Sequence, residues 1–188
     1  MTVDLNSRYD LNPAHSEVVE ACKIIEPCNA LDMGCSNGRN ALYLSQLGFN
    51  VIAVDNNPNA IDMLQQIVSE EGIANIKVQT YDINSAELGV DYGLIACTVT
   101  LMFLDPACID TVIADMQGHT LPGGYNLIVC AMNTENHPCP VPFPFTLKAG
   151  QLREAYEGWE PIKYNEDVGT MHNGAQLQFA TMLARKPS

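Results

Sequence analysis

The stretch Ala30-Leu-Asp-Met-Gly-Cys-Ser-Asn-Gly-Arg-Asn40 carries an apolar run into a glycine-bearing turn that opens a helix. Gly34 and Gly38 permit a ligand to approach the backbone closely. A dinucleotide-binding turn would read G-x-G-x-x-G and seat a pyrophosphate on the helix N-terminus, whereas this turn is G-x-x-x-G. Asn50-Val-Ile-Ala-Val-Asp55 ends a second apolar run in a carboxylate 21 residues beyond Gly34. A carboxylate at the C-terminal end of a strand can accept both hydroxyls of a ribose. Tyr81-Asp82-Ile83 adds an acidic-apolar pair after a third apolar run. Candidate ligand contacts are therefore Asp32, Gly34, Cys35, Gly38, Asn40, Asp55, Asn56, Asp82, Ile83 and Thr98. Plainer readings stand beside these: a tight connection for the glycines, a helix cap for Asp55, a turn residue for Asp82.

These residues need a scaffold that brings strand ends together. From residue 14 to residue 130, apolar runs alternate with amphipathic stretches, the pattern of a parallel sheet covered by helices. The expected order is helix 14–25, strand 30–33, helix 38–47, strand 50–54, helix 57–71 with Pro58 in its first turn, and strand 76–81. Strand 92–98, helix 106–120, a Leu-Pro-Gly-Gly turn at 121–124 and strand 125–131 follow. Between Asn133 and Thr146, prolines at 138, 140, 142 and 144 exclude both helix and central strand. So long a loop inside a compact domain is usually functional or mobile. A short helix at 148–156 and two terminal strands at 162–168 and 176–185, near enough to pair antiparallel, complete the chain. The expected class is α/β, an open doubly wound and mostly parallel Rossmann-like sheet with a C-terminal antiparallel hairpin, in one domain spanning 1–188.

Composition narrows the partners. Nine basic against 22 acidic residues leave a net charge of −13, which repels phosphate backbones and anionic membrane surfaces. Neither nucleic acid nor membrane is expected as a partner, and a small-molecule substrate is. The seven cysteines form no C-x-x-C pair, which points to reduced thiols. His119, His137 and Cys139 lack a second pair at ligand spacing, so no metal is expected. No secretion signal or membrane-length apolar run is visible, which suggests the cytoplasm.

The glycine turn resembles the D/E-x-G-x-G-x-G loop of class I methyltransferases, with Ser36 at the middle glycine position. That resemblance implies S-adenosylmethionine as cofactor, its methionine part on the loop, its ribose on Asp55 and its adenine at Asp82-Ile83. Further stretches resemble one family, the tellurite-resistance methyltransferase TehB: Asp32 to Asn40, Leu101-Met-Phe-Leu104, Pro122 to Ile128, Tyr156-Glu-Gly-Trp159, Lys163 to Gly169 and Phe179 to Lys186. This implies methylation of tellurite, selenite or a related chalcogen species. Arg39, at a helix start whose dipole also favours anions, is the first candidate for holding an oxyanion. His172 matches a family histidine that could orient substrate or accept a proton. The family pattern carries arginines just after this histidine and shortly before Phe179, where this chain has Asn173, Gly174 and Gln178. Phe143, Phe145 and Tyr43 are candidate lid aromatics. Methylation of a small thiol or metabolite, and a sensor that binds the cofactor without turnover, share the same cofactor residues.

Overall fold

The computed structural model describes residues 4–170 and 174–188. Seven strands form one sheet in the order β3-β2-β1-β4-β5-β7-β6. They are β1 (Asn29–Met33), β2 (Asn50–Asp55), β3 (Ile76–Thr80), β4 (Tyr92–Thr98), β5 (Thr120–Ala131), β6 (Glu160–Thr170) and β7 (Gln176–Arg185). The first five are mutually parallel, and β7 pairs antiparallel with both β5 and β6. The strand order reverses between β1 and β4, the place where open α/β sheets leave a crevice at their C-terminal edge.

Alternation along the strands sorts residues between two cores. Leu31, Met33, Ile95, Cys97 and Ile128 face one apolar cluster, which includes Ile109, Val112 and Met116 of α5 (Ile109–Gly118). Ala30, Val51, Ala53, Leu94 and Leu127 face the other, shared with α2 (Ser16–Ala21), α3 (Arg39–Gln46) and α4 (Pro58–Glu70). Two short helices, α1 (Leu5–Arg8) and α6 (Gln151–Ala155), lie before and after this body.

The expected elements are present with shifted ends. The first long helix shortens to Ser16–Ala21 and begins on His15, whose ring Nδ1 accepts the Glu17 N–H at 3.2 Å. Residues 106–108 form a 3-10 turn, so α5 starts only at Ile109. β5 reaches back to Thr120 through the Pro-Gly-Gly segment, because Tyr92 pairs with Thr120 before a register shift. The last helix covers only Gln151–Ala155. The sequence does not announce α1, because four residues give no period to detect; Asp4 caps it by accepting from Asn6 and Ser7.

Two helix starts fix the crevice. At α4, the Asn57 side chain accepts the Asn59 N–H at 3.1 Å and Pro58 occupies the first turn, where its missing N–H costs nothing. At α3, Gly38 takes φ +93°, and a Cβ there would lie 2.3 Å from Cδ1 of fully buried Leu64. Gly38→Ala is therefore expected to cost roughly 2 kcal/mol, a fall of about 4–8 °C in melting temperature by circular dichroism. An unchanged melting temperature would show that α3 and α4 can separate without loss.

Candidate functional site

A cavity of about 570 Å³ opens where β1, β2 and β4 end, a volume in the range of small-molecule sites. One wall is the turn from Gly34 to Asn40, and the opposite side is formed by Asp55, Asn56 and Asn57. Ile83 and Asn84 flank it on one side, and residues 98–100, 103 and 104 on another.

The turn stays open because its backbone is left-handed at Gly34 (φ +79°), Ser36 (φ +48°) and Gly38 (φ +93°). The Val54 carbonyl accepts both the Gly34 N–H (2.8 Å) and the Cys35 N–H (2.9 Å), tying the turn to β2. Asp55 then joins two turns: its Oδ2 accepts the Ser36 N–H and its Oδ1 the Asn57 N–H, each at 2.9 Å. The carboxylate is fixed in orientation, and each oxygen retains a lone pair for a ligand hydroxyl. Ser36 stands where the glycine-turn pattern has glycine, and it holds the left-handed conformation against a steric penalty.

Asp32 lies below the turn, only 1% exposed, and its Oδ2 has no hydrogen-bond partner. Burial pushes its carboxyl up to about 7, against opposing help from the Ala41 N–H, the Arg39 charge and the Asn40 amide. A buried acceptor without a donor is rare and marks a position for a cationic or N–H ligand group. Burial, with the Asp32 and Asp55 charges nearby, also drives the Cys35 thiol far up, so it stays protonated. Asn40 organises the neighbourhood: it accepts the His15 N–H at 2.8 Å and donates to Thr98 Oγ1 at 3.1 Å.

Of the predicted contacts, Gly34, Cys35, Asn40, Asp55, Asn56, Ile83 and Thr98 line the cavity. Asp32 and Gly38 stand behind the lining, beneath the turn they shape. Asp82 does not line it: its Oδ1 accepts from the Asn84 N–H at 3.0 Å and caps the 3-10 turn that presents Ile83 and Asn84. Arg39 lines the cavity and makes no ion pair among the described residues. His172 lies outside the described residues. Gln178, where the family pattern has a cation, is spent on structure: it accepts from Thr134 Oγ1 (2.7 Å) and donates to the Glu166 carbonyl (3.0 Å), pinning the proline-rich loop to the hairpin.

Among the lid aromatics, Phe143 packs edge-on against Phe103 with centroids 5.3 Å apart, and Phe103 lines the cavity while 60% exposed. The Phe145 N–H is bonded to the Met102 carbonyl. Tyr43 does not belong with them; it lines a separate depression with Asp4, Asn6 and Leu47, because its helical position turns it away from the strand ends. Val99 and Thr100 join the site without a motif to announce them, and Phe103 comes from the Leu101-Met-Phe-Leu104 stretch, for which the sequence predicts no site role. Their signal is positional, since residues just past the end of a central parallel strand face the crevice whatever their type.

A family model described as tellurite resistance protein TehB matches residues 4–183. The chain belongs to the TehB family. A Haemophilus influenzae (strain 10810) protein named probable S-adenosyl-L-methionine-dependent methyltransferase TehB is 46% identical over 187 residues, covering 96% of this chain and 65% of that protein. A relative from Eikenella corrodens named hemagglutinin 1 is 44% identical over 188 residues, covering 97% of this chain and 62% of its own. The chain thus spans slightly less than two thirds of these relatives. The crystal structure of TehB from Haemophilus influenzae superimposes with a TM-score of 0.93 at 45% identity, covering 97% of this chain and 65% of that one. Magnesium protoporphyrin IX methyltransferase from Synechocystis, solved with S-adenosylhomocysteine, shares the fold at 16% identity (TM-score 0.72, 96% of this chain, 83% of that one). Among the described residues, no helix is long and apolar enough to cross a membrane, and no group of three or more His, Cys, Asp or Glu side chains could hold a metal.

The Asp32 environment generates a pH test. Below about 4, Asp32 is protonated both folded and unfolded and costs nothing; above about 7 it must be charged in a folded site that resists charge. Its contribution therefore destabilises progressively as pH rises from 4 to 7, by on the order of 4 kcal/mol at most. Without ligand, Asp32→Asn should gain stability relative to the parent across that window, read as diverging melting temperatures. Parallel curves would place the carboxylate in a wetter setting than its burial implies.

Proposed function

We propose that this TehB-family chain transfers a methyl group from S-adenosylmethionine to a soft chalcogen nucleophile, with tellurite and selenite as the first candidates. The observation that carries the reading is Asp55, an oriented carboxylate on the crevice wall suited to a ribose diol, beside a turn held open by left-handed residues. Asp32, buried behind the lining, puts a second carboxylate beneath the turn, where its charged form would favour a cationic ligand group in the crevice above. Gly34 leaves room for Thr100 and Gly38 for Leu64 against the turn, and Ile83 with Phe103 gives apolar surface for a purine. The residues present fit the cofactor.

When bound, the cofactor supplies an electrophilic methyl on a sulfonium, a centre that needs no metal or redox partner. The chain's share is to hold, align and dry the reacting groups, because a polarisable nucleophile at near-attack distance needs little proton chemistry. Arg39 is the cation best placed to hold an anionic acceptor, since it lines the cavity without a salt-bridge partner and is the first residue of α3. Its guanidinium offers donors in a fork matched to an oxyanion. With Asn173, Gly174 and Gln178 in place of the family's extra arginines, Arg39 carries that role with less help than the family pattern provides.

Headspace gas chromatography with mass detection tests the reading: purified protein, S-adenosylmethionine and a reducing thiol are offered tellurite or selenite. Dimethyl telluride or selenide is expected from the parent. Asp55→Ala, which removes both turn contacts and the diol acceptor, should bind cofactor at least 30-fold more weakly and lose product in proportion. Cofactor binding with neither volatile product would overturn the chalcogen assignment.

A further inference from the structure

A second cavity, of about 560 Å³, lies on the sheet face beside the first. Strand register builds its floor. Val129 of β5, Thr181 of β7 and Asn165 of β6 form one row across three strands, and Phe179 of β7 with Asp167 of β6 continues the floor in the next. Glu17 of α2 and Lys163 of β6 close one end with an ion pair at 2.6 Å. Two residues, Arg39 and Val99, line both this cavity and the cofactor crevice.

Val99 is the residue at the boundary. It adopts φ +57°, a conformation that a β-branched side chain disfavours strongly, and its N–H is bonded to the Val129 carbonyl at 2.7 Å. Such strain persists only where the surroundings enforce it, and it gathers at functional positions. Here it sets Val99 between the row at Val129 and the crevice at Thr98 and Thr100.

The electrostatics of this cavity are specific. Lys163 is neutralised by Glu17, and Asp167 is exposed at the edge strand. His15 is held neutral, its pKa lowered by burial and by Arg39, and its Nδ1 already accepts the Glu17 N–H. Among the described residues lining the cavity, Arg39 is the Lys or Arg side chain in no ion pair, and it lies next to the apolar surface of Val99, Val129 and Phe179. A guanidinium beside that apolar surface gives an organic anion a charge partner and an apolar contact together.

We infer that this hairpin-face cavity is the acceptor site, that Val99 forms the aperture between it and the cofactor, and that it accepts an organic thiol or selenol bearing one anionic group. This assignment rests on the methyl-transfer reading above. In the reaction the thiol first loses its proton to water or buffer. The thiolate lone pair then forms the new S–CH3 bond while the C–S bond of the sulfonium breaks. Its electron pair stays on the former sulfonium sulfur, leaving an uncharged thioether sulfur on each product. Arg39 steadies the separate anionic group, and Val99 sets the angle of approach.

The probe is 2-mercaptobenzoate, with thiophenol as the counterpart that lacks the carboxylate, titrated calorimetrically into the intact chain saturated with S-adenosylhomocysteine. Asn165→Trp and Gly169→Leu fill the floor at two independent positions; a Cβ on Gly169 meets only Phe179 ring carbons and the Leu177 carbonyl oxygen, at 3.7 Å or more, so folding is spared. Both should bind S-adenosylhomocysteine within two-fold of the parent and 2-mercaptobenzoate at least ten-fold more weakly. Arg39→Gln should weaken 2-mercaptobenzoate about ten-fold and leave thiophenol unchanged, a charge signature that a purely structural role would not give. Parental affinity in both floor variants would overturn the site. Failure of the parent to bind 2-mercaptobenzoate while it methylates selenite would overturn the organic class. Loss of the underlying reading has a separate signature: no S-adenosylhomocysteine formed from any acceptor, with probe binding at the hairpin intact.

Discussion

The Asp55 carboxylate is the joint on which the crevice depends. Two backbone N–H groups from different turns converge on it, and charged acceptors make stronger bonds to such donors than neutral ones do. With the Val54 carbonyl holding Gly34 and Cys35, the ends of β1 and β2 move as one unit. That connection keeps three left-handed residues in place within five positions, a geometry the turn would not hold alone. The cavity is thereby preorganised, and ligand binding is spared the entropy of ordering the loop.

Much of this was legible in the sequence because it is periodic or punctuated. The alternation of apolar runs gave the parallel sheet, and the glycines with Asp55 gave the strand ends where ligands gather. The hairpin pairing followed from two apolar runs close in sequence. What escaped had no local signature. Capping decides where α2 begins, and it is His15, a residue rarely read as a cap, that does so. The Pro-Gly-Gly segment reads as a turn, yet β5 extends through it because Tyr92 supplies a partner for Thr120. Asp82 is expected as a ligand contact with a turn residue as the plainer reading, and its carboxylate also caps the 3-10 turn. The strain at Val99 is invisible in the residue type and arises only from where β4 ends.

The site also carries a stability cost that the rest of the fold must absorb. A carboxylate with an unpartnered oxygen, a serine in a left-handed turn and a valine in the same region each oppose folding by about 1 kcal/mol or more. They cluster around one crevice, while both cores on the two faces of the sheet are apolar and closely filled. Local rules fail together at one place and hold elsewhere, which is how function separates from structure in a chain of this size.

The overall acidity of the chain sharpens what Arg39 does. Against a net charge of −13, an anionic acceptor approaches an unfavourable mean field, and the attraction that admits it must be local. Lys163 cannot provide it, being paired with Glu17, and His15 is neutral. A guanidinium shared by two cavities is placed where a donor's positive centre and an acceptor's negative one would meet. Transfer cancels the sulfonium charge against the thiolate charge, so the attraction between the two reacting centres disappears with the reaction. In the proposed site the methylated product would keep its anionic group on Arg39 and its apolar contact with Val129 and Phe179, without a cation across the aperture. Its hold is therefore weaker than that of the thiolate it came from, while the chain's net negative charge still repels it. On the proposed acceptor reading, the arrangement favours release of the methylated product after capture of the anion.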